Sequence, residues 1–288
     1  MLRGLYSAAS GMFTMERKQE ALSDNLANAQ TPGYKKDETV LRAFPNLLIQ
    51  RIRDFDQAGN GSVSGVPQLP QSMTMGELSN GVYAQERIPS FEQGTLVQTD
   101  GTFDVAIDDQ AIPAQEVNGR DTKPAAFFAV QLPDGTVGYT RNGKWDLDGN
   151  GNLVTSEGYR VLGANGEPIQ VTSSIRREDL QIDGNGRLLA NGNETIGQIG
   201  VAIAENPLEL SRLGGNVYQA ENPLAFMQEE NNPGVSLQQG FLEQSNVDSA
   251  KTMTDMMMAI RSYEANQKVI SVYDTSLDQL NSVGRMNG

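Results

Sequence analysis

The sequence predicts an α+β fold in which N- and C-terminal helices pair as a coiled coil, with a β-rich domain of hairpins inserted between them. Apolar residues recur at separations of three and four near both ends of the chain, over residues 2–30 and 246–280, which is helical spacing. Apolar and polar residues alternate in parts of the intervening chain, which is typical of strands. The 288 residues include 30 Gly and 12 Pro, a content that favours turns over a helical globule.

The first element is a helix over residues 2–30, and Thr31-Pro32-Gly33 ends it. Its side chains form a row with separations of 3, 4, 3, 4, 3, 4 and 3 positions, namely Leu5, Ala8, Met12, Met15, Gln19, Leu22, Leu26 and Ala29. This is the spacing of a coiled-coil seam, which Gln19 interrupts. A seam of this period requires a partner helix.

The segment after this helix has a weaker pattern. Residues 34–60 contain a short apolar cluster with Pro45 inside it, and they predict a brief helix or an extended arm. Residues 57–82 are dense in Gly, Ser, Pro and Gln, which predicts a loop or linker.

Between about residues 82 and 220 the sequence predicts consecutive hairpins. Strands are predicted at residues 103–107, 127–132, 197–204 and 216–219. Turn signals lie at residues 132–136, Asn142-Gly143, Asp148-Gly149, Asn165-Gly166, Asp183-Gly184 and Asn191-Gly192. Such pairs supply the backbone conformations that tight hairpins need.

A second helix is predicted over residues 246–280, with Ser245 or Asn246 as its N-cap. Its apolar row consists of Met253, Met256, Met257, Ile260, Tyr263, Ile270, Leu277 and Leu280, and Gln267 and Asp274 interrupt it. This helix is the most economical partner for the first one. We therefore expect a coiled-coil domain from residues 1–44 and 236–288, a linker or extended arm over 45–82 and a β-rich outer domain over 83–235.

The helix pair also predicts an assembly surface. Its candidate residues are Leu5, Ala8, Met12, Met15, Leu22, Leu26, Met253, Met256, Ile260, Tyr263, Ile270 and Leu277. Further apolar residues flank the two rows, namely Tyr6, Phe13, Val269, Val272 and Tyr273. Apolar flanks of this kind indicate that further copies of the chain pack around the pair.

Composition excludes several classes of function. The formal net charge of −14 disfavours binding to nucleic acid or to an anionic membrane surface. The chain has no Cys and no His, which removes disulfides, thiolate zinc sites and histidine-dependent nucleophilic catalysis. No apolar window is long enough to span a membrane. Charged residues at 16–20 interrupt the stretch that a cleaved signal peptide would need.

One segment resembles a calcium-binding loop. Residues 146–157 fit the pattern D-x-[DN]-x-[DN]-G-x5-E, with Asp146, Asp148, Asn150 and Glu157 as candidate ligands. An EF-hand loop joins two helices, whereas the flanking residues here predict strands. Asp-Gly followed by Asn-Gly is also what a tight hairpin requires. We therefore expect a β turn, and no metal or other cofactor.

Seven short segments in three parts of the chain match signature segments of one known family. They are residues 7–12 (SAASGM), 22–35 (LSDNLANAQTPGYK), 104–107 (DVAI), 139–143 (YTRNG), 151–159 (GNLVTSEGY), 240–248 (GFLEQSNVD) and 261–270 (RSYEANQKVI). In this order they resemble the bacterial flagellar basal-body rod protein family, which includes the rod and hook axial proteins. The resemblance covers most of the chain.

This resemblance implies a structural role. The terminal helices of the chain would line an axial tube, and the β-rich domain would lie outside this tube. The chain would leave the cell through the flagellar type III export apparatus without a cleaved signal peptide. It would then assemble helically with itself and with other rod and hook proteins, and the rod would transmit torque from motor to hook.

The sequence departs from the family pattern mainly at residues 108–126, where a longer polar stretch replaces a short link. Two other functions stay open. One is a peptidoglycan-remodelling enzyme of the rod, for which Asp104 and Asp108 are an example of an acidic pair. The other is a flagellar cap or export chaperone. Because abundant acidic residues form such pairs by chance, we expect no enzyme activity.

Overall fold

The computed structural model of this chain describes residues 2–44, 47–52, 72–78, 81–117, 120–171, 179–191, 194–214, 216–227 and 234–286. The chain divides into two compact units. The helical unit comprises Met1–Ala21, Thr39–Arg87 and Thr254–Gly288, and the β unit comprises Leu22–Glu38 and Ile88–Met253. The predicted domain boundaries at residues 44, 82 and 235 stay predictions.

Both terminal helices are present, so the α+β class is confirmed. Helix α1 spans Leu2–Ala27 and helix α2 spans Ser249–Met286. None of the described helices is long and apolar enough to cross a membrane. The predicted N-cap of α2 is wrong by two or three residues, because Oδ1 of Asp248 accepts a hydrogen bond from the backbone N–H of Lys251 at 3.1 Å.

The segment between α1 and the β unit contains strands. Strand β1 spans Asp37–Ala43, β2 spans Leu47–Ile52, β3 spans Ser72–Leu78 and β4 spans Val82–Pro89. Strands β1 and β4 pair with each other, and β2 pairs antiparallel with β3.

These strands correct two predictions. For residues 34–60 the brief helix is wrong, and the described residues of β1 and β2 adopt the extended alternative. The loop predicted at residues 72–78 is also wrong. Each of these strands has little alternation of its own, and hydrogen bonding to a partner strand sets its conformation. Within the predicted loop at 57–82, residues 57–71 and 79–80 lie outside the described residues.

Short strands make up most of the β unit. In chain order they are β5 Leu96–Gln98, β6 Val105–Asp108, β7 Gln115–Val117, β8 Arg120–Thr122, β9 Ala125–Gln131, β10 Val137–Thr140, β11 Trp145–Leu147, β12 Leu153–Thr155, β13 Arg160–Val161, β14 Leu180–Ile182, β15 Arg187–Ala190, β16 Glu194–Gln198, β17 Val201–Ala204, β18 Ser211–Gly214, β19 Val217–Gln219, β20 Ala225–Phe226, β21 Ser236–Gln239 and β22 Phe241–Glu243. A short 3-10 helix, Pro207–Glu209, precedes β18.

The largest sheet has the strand order β11-β12-β13-β9-β10-β19-β18, and β17 joins it by pairing with β9 and β20. Strand β9 is its centre and is buried from Ala125 to Val130. Ala126 and Phe128 contribute to one apolar cluster, and Phe127 contributes to another with Tyr139 and Tyr218. Burying each of these phenylalanines contributes about 1.5–3 kcal/mol to stability, so this strand anchors the unit.

Most of the predicted turns are confirmed. Residues 132–136 join β9 to β10, Asp148-Gly149 joins β11 to β12, and Asp183-Gly184 joins β14 to β15, each pair being antiparallel. Asn165-Gly166 lies between the bridged residues Leu162 and Pro168. Gly192 of the remaining predicted turn lies outside the described residues.

Two strand-level predictions need correction. Asn142-Gly143 does not close a hairpin, because β10 pairs with β9 and β19 while β11 pairs with β12. Residues 197–204 form the end of β16 and a separate strand, β17. The break falls at Gly200, whose N–H donates to the carbonyl of Leu162 at 2.8 Å. This bond aligns β17 with the central sheet.

The polar stretch at residues 108–126 is a separate hairpin of β7 and β8. Ile112 at its base is buried, and Pro113 to Glu116 are exposed. The structure therefore adds a pair of strands, whose residues Gln115 and Glu116 are exposed, at the place where the sequence departs from the family pattern.

Candidate functional site

The helical unit exposes large apolar side chains on both terminal helices. On α1, Tyr6 is 67% exposed and Phe13 is 61% exposed. On α2, Val272 is 65% exposed, and other exposed apolar residues are Met253, Met257, Met258, Val269, Leu277 and Leu280. Apolar surface of this extent is typical of a surface that binds another protein.

The predicted assembly residues are distributed over several environments. On α1, Ala8 is buried, whereas the half-buried residues are Leu5, Met12, Met15, Leu22 and Leu26. On α2, Met253 and Leu277 are exposed, whereas Met256, Ile260, Tyr263 and Ile270 are half-buried. The predicted row therefore stays partly accessible in the isolated chain, and its role in assembly stays a prediction.

A different row of α1 is the most buried. Its members are mostly small, namely Ala8, Gly11, Thr14, Ala21 and Asn25. Sequence reasoning missed this row because it weighed large apolar residues above small ones. The alternation of Ala, Gly and Thr at helical spacing was the signal that could have found it.

Two glycines of this helix mark where α1 and α2 approach each other. A Cβ on Gly4 would collide with the phenol group of Tyr273, and one on Gly11 would lie 2.8 Å from Nδ2 of Asn266. The two contacts are seven residues apart on each helix, and they run in opposite directions along the two helices. Tyr273, predicted as an outer flank, therefore faces α1.

The β unit brings together three of the quoted signature segments. The N–H of Gly33 donates to the carbonyl of Glu243 at 2.7 Å, and the N–H of Lys36 donates to Oδ1 of Asn246 at 2.8 Å. Gly33 has a φ of +69°, and a Cβ there would lie 2.5 Å from the carbonyl of Arg141. We name residues 31–38 the N-terminal arm and residues 240–247 the C-terminal arm.

Four buried charges lie where the two arms meet. Nζ of Lys35 donates to Oε1 of Glu243 at 2.6 Å, and both side chains are 1% exposed. Arg141 Nη2 donates to Oδ2 of Asp109, and its Nη1 lies 3.6 Å from Oε2 of Glu243. Burial, together with the charge of Arg141, lowers the pKa of Lys35 to about 8. We name these four residues the charge cluster.

Backbone groups add two hydrogen bonds to the charge cluster, whereas Nε and Nη1 of Arg141 and Oε2 of Glu243 have no hydrogen-bond partner among the residues that the structure describes. Lys35 Nζ also donates to the carbonyl of Glu92 at 2.7 Å, and Oε1 of Glu243 also accepts from the N–H of Gly94 at 2.8 Å. Sequence reasoning missed the cluster. Its members are far apart in the sequence, and no local pattern marks them as buried.

Arg212 holds the N-terminal arm from a second side. Its guanidinium donates to the carboxylate of Asp37 at 2.7 Å, to the carbonyl of Lys35 at 2.8 Å and to the hydroxyl of Tyr218 at 2.9 Å. It also lies over the rings of Tyr34 and Tyr218, at 4.8 and 5.4 Å from their centroids. The planar fork of arginine suits this simultaneous contact.

The calcium-like segment forms the predicted hairpin turn. Oδ1 of Asp148 accepts from the backbone N–H of Asn150 at 2.8 Å and of Asn152 at 2.7 Å, and Oδ2 accepts from Nδ2 of Asn152. These hydrogen bonds lower the pKa of Asp148. Asp146 and Glu157 flank the turn, and within the described part of the chain no three acidic residues come close enough to hold a metal.

The acidic pair considered for catalysis has structural partners. Asp104 accepts a hydrogen bond from Oγ1 of Thr99 at 2.7 Å, and Asp108 accepts one from the N–H of Gln110 at 3.2 Å. A groove of about 330 Å³ lies between residues 163–170 and strand β16, and neither acid lines it.

Comparison with known proteins finds matches at both ends and in the middle of the chain. Three family sequence models match, described as "Flagella basal body rod protein" over residues 5–35, "Flagellar hook protein FlgE/F/G D1 domain" over 123–190 and "Flagellar basal body rod FlgEFG protein C-terminal" over 238–283. The chain is 38% identical to the flagellar hook-basal body complex protein FlhO of Bacillus subtilis, over 99% of this chain and 100% of that protein. The chain belongs to the flagellar basal-body rod and hook protein family.

Other members of the rod and hook family are also similar along the whole chain. The flagellar basal-body rod protein FlgG of Buchnera aphidicola subsp. Acyrthosiphon pisum is 33% identical over 98% of this chain and 100% of its own. FlgG of Borreliella burgdorferi is 32% identical over 99% of this chain and 100% of its own. The family resemblance that the sequence motifs predicted is thus confirmed.

Proposed function

We propose that this protein is a structural subunit of the flagellar basal-body rod that assembles helically through its terminal helices. The observation that carries the proposal is the exposed apolar surface of α1 and α2, in a chain that is similar over its full length to rod proteins. Exposed groups such as Phe13 and Val272 lose contact with water when neighbouring subunits cover them, which favours association.

In this proposal α1 and α2 form an antiparallel coiled coil. The contacts at Gly4 and Gly11 support the pairing, and the half-buried predicted row, which includes Met12 and Ile260, supplies contacts to neighbouring copies. Its partners are other copies and other rod and hook proteins. The assembled rod transmits torque to the hook.

The proposal also includes export through the flagellar type III apparatus without a cleaved signal peptide. Family membership supports it, because the resemblance to rod and hook proteins implies this export route. The alternatives have less support. The relatives reported above carry the names of rod and hook-basal body proteins, and none is named as a hydrolase or a chaperone.

The test replaces Phe13 and Val272 by glutamine in a strain that lacks the wild-type protein. Because both side chains are more than half exposed, we expect the purified variant to keep the helix content and melting temperature of the wild type. We expect incorporation into isolated basal bodies to fall at least tenfold, with loss of swimming.

A matched control replaces the exposed helical residues Glu16 and Glu264 by glutamine, and it should leave incorporation and swimming unchanged. Wild-type incorporation of the Phe13→Gln, Val272→Gln variant would show that these helix surfaces do not carry assembly.

A further inference from the structure

The charge cluster joins parts of the chain that are far apart in sequence. Lys35 and Glu243 are separated by 208 positions. Asp109 follows strand β6, and Arg141 lies in the loop after β10. Neither arm alone brings a balanced set of charges to this place. The N-terminal arm brings one cation, and the C-terminal arm brings one anion.

Polar contacts hold the two arms in place. Neither apolar cluster of the described residues takes a member from residues 31–38 or 240–247. The C-terminal arm is attached by the pairing of its strand β22 with β5, and Arg212 contacts the N-terminal arm. The two arms are joined to each other by the pairing of Lys36 with Asn246, by Gly33 with Glu243 and by the charge cluster itself. The central sheet around β9 can therefore bury its apolar side chains before the arms arrive.

The charges make docking of one arm depend on the other. Without Glu243, the cations of Lys35 and Arg141 would lie in a water-excluded site with Asp109 as their anion. Without Lys35, the two anions Glu243 and Asp109 would have Arg141 as their single cation in the cluster. A buried charge that lacks its partner is strongly destabilising. The cost opposes docking of either arm alone, against the contacts that each arm makes with Arg212 or with strand β5.

We propose that the charge cluster is a closure lock, which keeps both arms undocked until they dock together as the last folding step of the β unit. During synthesis Lys35 and Arg141 precede Glu243, so the N-terminal arm stays open until the C-terminal arm is available. Completion of the β unit therefore requires both the N-terminal arm and the C-terminal arm. The lock does not depend on the proposed role in the rod.

The experiment is pulsed hydrogen exchange with mass spectrometry during refolding of the full-length protein from denaturant. We expect peptides from residues 31–38 and 240–247 to become protected in the same kinetic phase, after peptides from β9 and β17. Earlier protection of the N-terminal arm, or different rates for the two arms, would overturn the lock.

Native-state exchange of variants supplies a second measurement. Glu243→Gln keeps the side-chain shape but leaves two cations with one anion. We expect exchange in both arms to rise at least tenfold, with little change in β9. Lys35→Met together with Glu243→Gln leaves Arg141 balanced by Asp109, and we expect protection of both arms to recover relative to Glu243→Gln.

The control for these variants is Glu205→Gln, because Glu205 is exposed and lies outside the cluster. It should exchange like the wild type. If Glu243→Gln opens the C-terminal arm alone, or if the double variant is no better protected than Glu243→Gln, the two arms are not coupled through these charges. If Glu243→Gln does not fold, the refolding experiment on the wild type decides.

Discussion

At the scale of single residues, three of the signature segments contact one another within the β unit. Gly33 shows why a specific residue type is needed. It has a positive φ and donates to the carbonyl of Glu243, and it lies directly against the backbone of Arg141. A side chain would be excluded both by backbone conformation and by space.

We therefore predict that Gly33→Ala is strongly destabilising. The positive φ alone costs an alanine about 1–2 kcal/mol, and the collision with Arg141 adds to it, so we expect a loss of about 3 kcal/mol or more in the free energy of unfolding. Gly135→Ala is the matched control, since Gly135 also has a positive φ, of +84°, but open space around its Cβ position. Denaturant unfolding of the two variants measures the difference. Equal losses would mean that the contact with Arg141 contributes nothing.

At the scale of elements, the β11–β12 hairpin shows how one sequence pattern can serve two structures. Its residues match a calcium loop, but the flanking strands pair from Trp145↔Thr155 to Leu147↔Leu153. Asp148 uses both carboxylate oxygens to hold the turn. The acidic and amide residues are thus explained by turn formation.

We predict that calcium does not bind this hairpin with a dissociation constant below about 100 μM, a limit weaker than the range of EF-hand sensor and buffer loops. Calorimetric titration of the purified protein with calcium checks it. Asp148→Asn should lower thermal stability, because the charged acceptor of the turn is lost, and calcium should not change the melting temperature of either protein. Tight binding that Asp148→Asn abolishes would instead support a calcium site.

At the scale of the whole molecule, the sequence boundaries and the structural units differ in an informative way. The sequence assigns residues 1–44 and 236–288 to the helices, whereas the structure places Leu22–Glu38 and the chain up to Met253 in the β unit. Both arms are therefore part of the β unit, although they adjoin the helices in sequence.

This division predicts the products of limited proteolysis. We expect proteases to remove residues C-terminal to about residue 254 before they cut the C-terminal arm, because Glu243 is buried and both arms are hydrogen-bonded. A core that retains residues 240–247 should persist, whereas the sequence alone would place its C-terminal end near residue 235. Mass spectrometry of the fragments identifies this end. Early cutting within residues 240–247 would contradict the prediction.

Much of the architecture follows from local patterns and was predictable. The helical seams, the Asp-Gly turns and the apolar run of β9 each depend on residues that are near neighbours in the chain. The paired strands β2 and β3 were not predictable in this way, since Leu47 pairs with Leu78 and neither segment carries a strong strand signal alone. The candidate site shows the same contrast between local and long-range determinants. Exposed Phe13 was predicted from its position beside the helical seam, whereas the buried row that includes Gly11 was missed.

The sequence by itself determined the two terminal helices, the hairpin-rich middle and membership in the rod and hook family. These depend on periodicity and short motifs, which local geometry and chemistry dictate. Only the tertiary structure decided which face of α1 meets α2, and that Lys35, Arg141 and Glu243 share one buried site. Those choices depend on contacts between distant parts of the chain, such as Lys35 and Glu243, which are 208 positions apart. They are set by which charges and surfaces lose water together when the chain folds.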